Sequence, residues 1–255
     1  MMIPKIIHYC WLSGDKYPDS IEKCITTWKE KLPDYEFILW DTAKFNLKDS
    51  LWVKQAFETK KYAFAADYIR LYAVYNYGGI YMDTDVEVVK SFNDLLELPY
   101  FIGTEGGGIV EAGVFGAEPK TQWVGDCLEY YKNREFIKPD TILDIRTLPS
   151  IMMEQIGKTK VVTEINTDGK ISYSSDSPKL MMFPVDYFCA KNQGTGIVTV
   201  TKNTYTIHHF AMSWISKKTT FLPNIKRSLM KVFGVNTINK IIEILKLREI
   251  KKKLS

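Results

Sequence analysis

The chain has 255 residues, 45% of them hydrophobic, enough to bury one large core or two modest ones. Its net charge of +4 names no partner and gives no ground for nucleic-acid binding, but the charge is uneven. From Lys217 to Ser255 eleven Lys and Arg face two Glu, a balance of +9 that leaves −5 for residues 1–216. Cys10, Cys24, Cys127 and Cys189 have no C-x-x-C or compact spacing, which argues against a zinc site or disulfide scaffold and for a reduced, cytoplasmic setting. No run of about 18 apolar residues suggests a transmembrane helix. "MMIPKIIHYCWLSG", its short apolar run broken by His8, reads as a buried first strand rather than a signal peptide.

In chain order, "KIIHYCWL" predicts a central strand emptying into the loop "SGDKYPDS". Asp19 or Ser20 then caps a helix whose inner face is Ile21, Cys24, Ile25 and Trp28. "YEFILWD" is a second strand ending at Asp41, so the opening is the β-α-β of an α/β sheet. Residues 51–77 read as helical, with Phe64, Tyr68, Leu71, Tyr72 and Tyr75 on one face and Ala63, Asp67, Arg70 and Val74 on another. Asp67 and Arg70 are three apart and can touch, as an ordinary surface ion pair also does. Gly78-Gly79 stops the helix, and the strand "IYMDTDVEVV" begins at once. "YFIGTEGGGIVEAGVFGAEP" suggests two strands around the turn 106–108, and "KTQWVGDCLEYYKN" a helix. Residues 140–156 suggest another helix, interrupted by Pro149. "KLMMFPVDYFCAKN" and "YTIHHFAMSWIS" each read as a strand leading into a loop. Beyond residue 222 two basic amphipathic helices are expected.

The chemistry concentrates in "YNYGGIYMDTDVEV", residues 75–88. Were it extended throughout, Asp83, Asp85 and Glu87 would share one face, and like charges that close need a cation or solvent between them. An Asp-x-Asp at a strand end offers two oxygens to Mg²⁺ or Mn²⁺, and the ion can bridge a diphosphate. By itself the tripeptide fits a calcium loop or a solvated strand end equally well.

Its surroundings narrow the choice. "FAADYIRLYAVYNYGGIYMDTDVEV" resembles the D-x-D signature of the family 32 glycosyltransferases, and is similar to the glucosyltransferase domains of the large clostridial toxins. "IPKIIHYCWLSG", "PDYEFILWD" and "IHHFAMSW" resemble further blocks of that family in the same order, over residues 3–216. The resemblance implies an α/β fold of GT-A type, a Rossmann-like nucleotide-binding sandwich with a mixed central sheet. It implies a catalytic domain over 1–216, with 217–255 as a helical extension. It also implies a retaining, metal-dependent transfer of a hexose from a nucleotide sugar, with UDP favoured over GDP. Carried over, Asp85 ligates Mn²⁺ or Mg²⁺, Asp83 meets the ribose or the metal's water shell, Asp67 binds sugar hydroxyls, and Arg70 meets phosphate or the acids. Trp11 stacks on the base, with Tyr9 and Tyr81 also on the donor. His209 takes the late metal position, with His208 as competitor because a strand points the two imidazoles oppositely, and Trp214 reaches the diphosphate. No nucleophile stands out, so a front-face mechanism is expected, in which the departing phosphate helps deprotonate the acceptor. Glu105 and Glu111 either line the acceptor side or are exposed loop acids.

The basic tail fits an anionic membrane surface through 222–255: Ile225, Leu229, Val232 and Phe233 share a helical face flanked by Lys226, Arg227 and Lys231. Packing on the domain, charges outward, is the alternative. The sequence thus suggests a cytoplasmic, peripherally bound enzyme that extends a lipid-linked saccharide in bacterial surface polysaccharide (capsule or exopolysaccharide) synthesis. Alternatives are a protein-modifying glycosyltransferase and a non-catalytic sugar or nucleotide module with a structural Ca²⁺.

Overall fold

The computed structural model describes residues 2–166, 171–211, 229–230 and 234–244. The chain divides into two compact units, one of residues 1–190 with 200–209 and one of 191–199 with 210–255. In the second unit a helix spans Val235–Ile244. Most of the proposed membrane face, including Ile225, Lys226, Arg227, Lys231, Val232 and Phe233, lies outside the described residues, as does Trp214. Among the described residues no helix is long and apolar enough to cross a membrane.

The first unit is an α/β sandwich on a five-stranded mixed sheet. Strand β1 (Ile6–Cys10) lies between β2 (Glu36–Trp40) and β3 (Gly79–Met82), both parallel to it. Strand β6 (Ile109–Ala117) pairs antiparallel with β3, and β5 (Tyr100–Gly106) antiparallel with β6, giving the order β2-β1-β3-β6-β5. This is the expected mixed α/β architecture. Alternation along the strands feeds a core on each face. Tyr81, Tyr100, Ile102 and Phe115 join Trp52, Ile69 and Trp123 in one, while Ile80, Met82, Phe101 and Val114 join Trp28, Phe92 and Phe188 in the other.

Helix α1 (Asp19–Lys31) buries Ile21, Cys24 and Trp28, as its periodicity predicts. It starts one residue early for a cap at Asp19, with Pro18 at the cap position and no side-chain cap hydrogen bond. The helical stretch 51–77 is two helices, α2 (Leu51–Glu58) and α3 (Tyr62–Tyr77), separated where Lys60 takes φ 58°. Helix α4 (Gln122–Glu129) forms as expected. Pro149 does not interrupt α5 (Leu148–Gly157) but stands in its first turn, where a missing N–H costs nothing. The remaining elements are β4 (Val86–Val88), β7 (Val161–Glu164), β8 (Lys179–Met182), the single turn α6 (Val185–Phe188) and β9 (Thr206–His208). β7 pairs parallel with β8, a pairing the sequence does not suggest because Val161 and Glu164 are exposed and carry no alternating apolar signal.

The α3–β3 junction is held from two sides. Gly78 (φ 66°) and Gly79 (φ 94°) adopt conformations that disfavour side chains, and a Cβ at Gly79 would lie 2.7 Å from the Ile6 carbonyl oxygen. His8, fully buried on β1, donates from Nε2 to the Gly78 carbonyl (2.8 Å) and accepts at Nδ1 from the Trp40 indole N–H (3.1 Å). A neutral ring satisfies both bonds, and burial lowers the His8 pKa from 6.5 to about 4. The fold therefore favours the uncharged form. Its contribution is complete above pH 6.5 and is lost as pH falls through 6.5 towards 4. Between those limits His8 should account for a stability loss of about 3 kcal/mol. Urea denaturation of wild type and His8→Gln from pH 7.5 to 4 checks this: the wild-type advantage at pH 7.5 should shrink towards pH 4, and parallel curves would contradict it.

Candidate active site

β1, β2 and β3 run parallel, so the residues following them gather at one sheet edge, where open α/β sheets bind ligands. Trp11 follows β1, Asp41 follows β2 and Asp83 follows β3. Trp11, Lys16, Tyr17, Glu22, Asp41 and Thr42 help line a cleft of about 480 Å³. The half-buried Trp11 is oriented by a hydrogen bond from Nε1 to the Asp15 carbonyl (2.7 Å) and an edge contact with Tyr17 (ring centroids 4.8 Å apart). Tyr9, also half-buried, packs edge-on against Trp28.

The D-x-D segment is not one strand. β3 ends at Met82, residues 83–85 turn with the Val86 amide donating to the Asp83 carbonyl (3.1 Å), and β4 pairs with β9 outside the main sheet. The expected single face of three acids is thereby broken. Asp83 and Asp85 stay together, while Glu87 goes to the other side.

Beneath the turn lies Arg70, buried on α3. Its guanidinium meets Asp67 Oδ1 (3.1 Å) and both oxygens of Asp83 (3.2 and 3.3 Å), and donates to the Ala112 carbonyl (2.8 Å). The Tyr81 ring lies 4.6 Å from its Cζ, and the Tyr81 hydroxyl donates to Asp83 Oδ1 (2.8 Å). The pair Asp67 and Arg70 is thus no surface ion pair but a buried triad with Asp83. Burial pushes the Asp67 carboxyl up to about 7, Arg70 opposing and Asp83 reinforcing. Burial also raises Asp83, again against Arg70 and with Asp85 adding to the shift. Burial alone would lower the Arg70 pKa, but Asp83 and its neighbours hold it well above the ordinary value.

The second side of the turn is closed by β9. His208 stands opposite Val86, with Nε2 3.4 Å from Asp85 Oδ1. One ligand atom from each of Asp83, Asp85 and His208 lies within 4.8 Å of the other two. Two carboxylates and an imidazole are a donor set suited to a hard or borderline divalent cation such as Mn²⁺ or Mg²⁺. The expected ligand His209 is placed differently: its Nε2 meets Glu87 Oε2 (2.8 Å), and its backbone amide donates to the Asp85 carbonyl (3.0 Å). Strand alternation points consecutive imidazoles to opposite faces, and the β4–β9 register puts His208 beside Asp83 and Asp85.

Glu111 corrects a second expectation. It is no exposed loop acid but lies on β6, 1% exposed, with Oε1 3.1 Å from His208 Nδ1 and 2.6 Å from the Gly113 amide. Burial alone raises Glu111, but His208 and the Gly113 amide outweigh it and hold the carboxyl below its usual range. Burial alone lowers His208, but Glu111 and Asp85 hold it well above the ordinary value. Glu105, half-buried on β5, is raised to about 7 by burial, with Glu111 reinforcing.

This geometry agrees with what the chain is similar to. Residues 18–102 match the family model described as "Glycosyltransferase sugar-binding region containing DXD motif", so the matched region includes Asp67, Arg70, Asp83 and Asp85. Residues 18–102 are thus similar to the sugar-binding region of DXD-motif glycosyltransferases, which supports a transferase. Among curated relatives, inositol phosphoceramide mannosyltransferase 3 of Schizosaccharomyces pombe is 31% identical over 121 residues, 45% of this chain and 33% of that protein. Mannosyl phosphorylinositol ceramide synthase CSH1 of Saccharomyces cerevisiae is 30% identical over 152 residues, 56% of this chain and 39% of that one. The chain spans less than half the length of these relatives. A solved structure titled PaToxG Glycosyltransferase superposes with a TM-score of 0.47 at 19% identity, over 62% of this chain and 69% of that one.

The triad makes a prediction about stability. Arg70→Met strands Asp67 and Asp83 without their cation and should cost about 3–5 kcal/mol in urea denaturation at pH 8. Asp67→Asn removes a carboxyl whose charged form burial already disfavours, and keeps an oxygen to accept from Arg70, so it should cost only about 1–2 kcal/mol. Equal losses would contradict a central role for the guanidinium.

Proposed function

We propose that the chain is a metal-dependent glycosyltransferase that moves a hexose from a nucleotide sugar to a hydroxyl on a lipid-linked acceptor. The observation that carries this reading is the convergence of Asp83, Asp85 and His208 at the end of β3, above the buried Arg70. In this reading those three side chains hold Mn²⁺ or Mg²⁺, which when bound neutralises charge on the leaving diphosphate. Arg70 and Tyr81 fix the Asp83 carboxylate so that it need not reorganise during reaction. Asp67 and Arg70 serve the donor sugar, and Trp11 in the wall of the cleft offers the base a stacking face; Tyr9, hydrogen-bonded to Tyr17 of the same cleft, also serves the donor. The glycosidic carbon–oxygen bond to phosphate breaks as the acceptor oxygen bonds the same carbon from the same side. The released phosphate oxygen takes the acceptor proton, and the configuration is retained.

The relatives' names bear on donor and acceptor. They are called mannosyltransferases and inositol phosphoceramide enzymes. This favours an activated mannose and an acceptor on a phosphorylated lipid headgroup over the surface polysaccharide suggested by the sequence, and makes GDP a stronger competitor to UDP. A peripheral position on a membrane suits such an acceptor.

Thermal melts test nucleotide and metal together. At about 100 times Kd, UDP or GDP with Mn²⁺ should stabilise the protein by about 2.7 kcal/mol, a rise in Tm of about 5–10 °C. Asp85→Asn should abolish the Mn²⁺-dependent part. Trp11→Ala should weaken nucleotide binding by about 1–3 kcal/mol while leaving binding of the metal alone intact. A screen of UDP- and GDP-hexoses, read as Mn²⁺-dependent nucleoside diphosphate release, tests catalysis. Metal-independent nucleotide binding with no turnover would favour a binding module and overturn the proposal.

A further inference from the structure

Behind His208 lies a second set of contacts that the proposed reaction does not itself require. Glu111 is 1% exposed, and its Oε1 lies 3.1 Å from His208 Nδ1 and accepts from the Gly113 amide at 2.6 Å. The Cys189 thiol lies beside the same carboxylate. A carboxylate on Nδ1 keeps the ring proton on that nitrogen and turns Nε2, 3.4 Å from Asp85 Oδ1, towards the two acids.

Gly113 supplies an independent observation. It sits on β6 beside Asp83, whose amide donates to its carbonyl (2.8 Å). A Cβ at Gly113 would lie 2.7 Å from Glu111 Oε1, 2.7 Å from His208 Cε1 and 3.0 Å from Asp83 Oδ2. The backbone there imposes no positive φ, so the need for glycine is one of space alone. Any side chain would wedge apart the groups that converge on the cluster.

Taking Asp83, Asp85 and His208 as cation ligands, as proposed above, we infer that Glu111 is a positioning residue that orients His208 for a divalent cation, and that Gly113 leaves the gap in which the two meet. Glu111 does not ligate the cation; it acts through the imidazole.

The test is a titration of the metal-stripped full chain with Mn²⁺ alone, read by electron paramagnetic resonance of the free ion. Melts in chelator verify that each variant is folded. Glu111→Ala should weaken Mn²⁺ binding by about 10–100-fold. Glu111→Gln keeps an acceptor for Nδ1–H and should stay within about 5-fold of wild type. Gly113→Ala retains both groups but separates them, and should weaken binding by about 10-fold or more. In a His208→Ala background, Glu111→Ala should add less than about 2-fold, because its effect passes through the ring. Folded Glu111→Ala and Gly113→Ala proteins with wild-type affinity would overturn the inference while leaving the cation reading intact. So would a Glu111→Ala loss equally large with and without His208. If Glu111→Ala does not fold, Gly113→Ala and Glu111→Gln carry the same comparison. Wild-type protein that takes up no Mn²⁺ would instead remove the cation reading, and this inference with it.

Discussion

The burial of one guanidinium organises the rest of the site. Arg70 is 6% exposed, yet it serves two carboxylates, one main-chain carbonyl and one aromatic face. A charge so enclosed is tolerable only with nearly complete pairing. The pairing joins three elements: Asp67 from its own helix, Asp83 from the end of β3, and Ala112 from β6. Helix α3 must then press closely on the sheet. Its buried face has small residues, Ala65, Ala66 and Ala73, among the larger Phe64, Ile69 and Leu71. The Gly78-Gly79 corner, held by the neutral His8, returns the chain as β3 parallel to β1. The D-x-D turn is thus mounted on a rigid helix–strand unit.

Charge explains why such a mounting would be useful. Asp67, Asp83, Asp85 and Glu111 crowd a region where, among the described residues, Arg70 and His208 are their partners. Arg70 is committed to the first two acids and His208 to the last two. Burial has already driven Asp67 to about 7, which is one way to relieve the crowding. A divalent cation held by Asp83, Asp85 and His208, as proposed, would relieve it further and would supply a fixed positive charge where negative charge develops on a departing nucleoside diphosphate.

The parts legible in the sequence are those governed by short-range pattern. The strand before "SGDKYPDS", the α1 face, the α3 helix with its glycine stop and the hairpin around 106–108 all follow from periodicity and turn chemistry. Asp67, Arg70, Asp83 and Asp85 were legible as a group through the motif they share. What escaped depends on register between distant segments. Whether His208 or His209 meets the acids is decided by the β4–β9 pairing. The turn at 83–85 that breaks "IYMDTDVEVV" into two strands relieves a like-charge row that an extended chain would create. Glu111 resembles a loop acid next to three glycines until β6 is known to run beside β3. A glycine at 113 carries no signal of its own, since its role is to make room for side chains from residues 83, 111 and 208.

The central claim is that one divalent cation sits between Asp83, Asp85 and His208 on the Arg70 platform. A crystal grown with Mn²⁺ and a nucleoside diphosphate, measured at the manganese absorption edge, tests it most directly. The account predicts one anomalous peak bonded to the Asp85 carboxylate and His208 Nε2, next to the diphosphate. A peak on His209 and Glu87, or a diphosphate bound with no manganese at the turn, would contradict it.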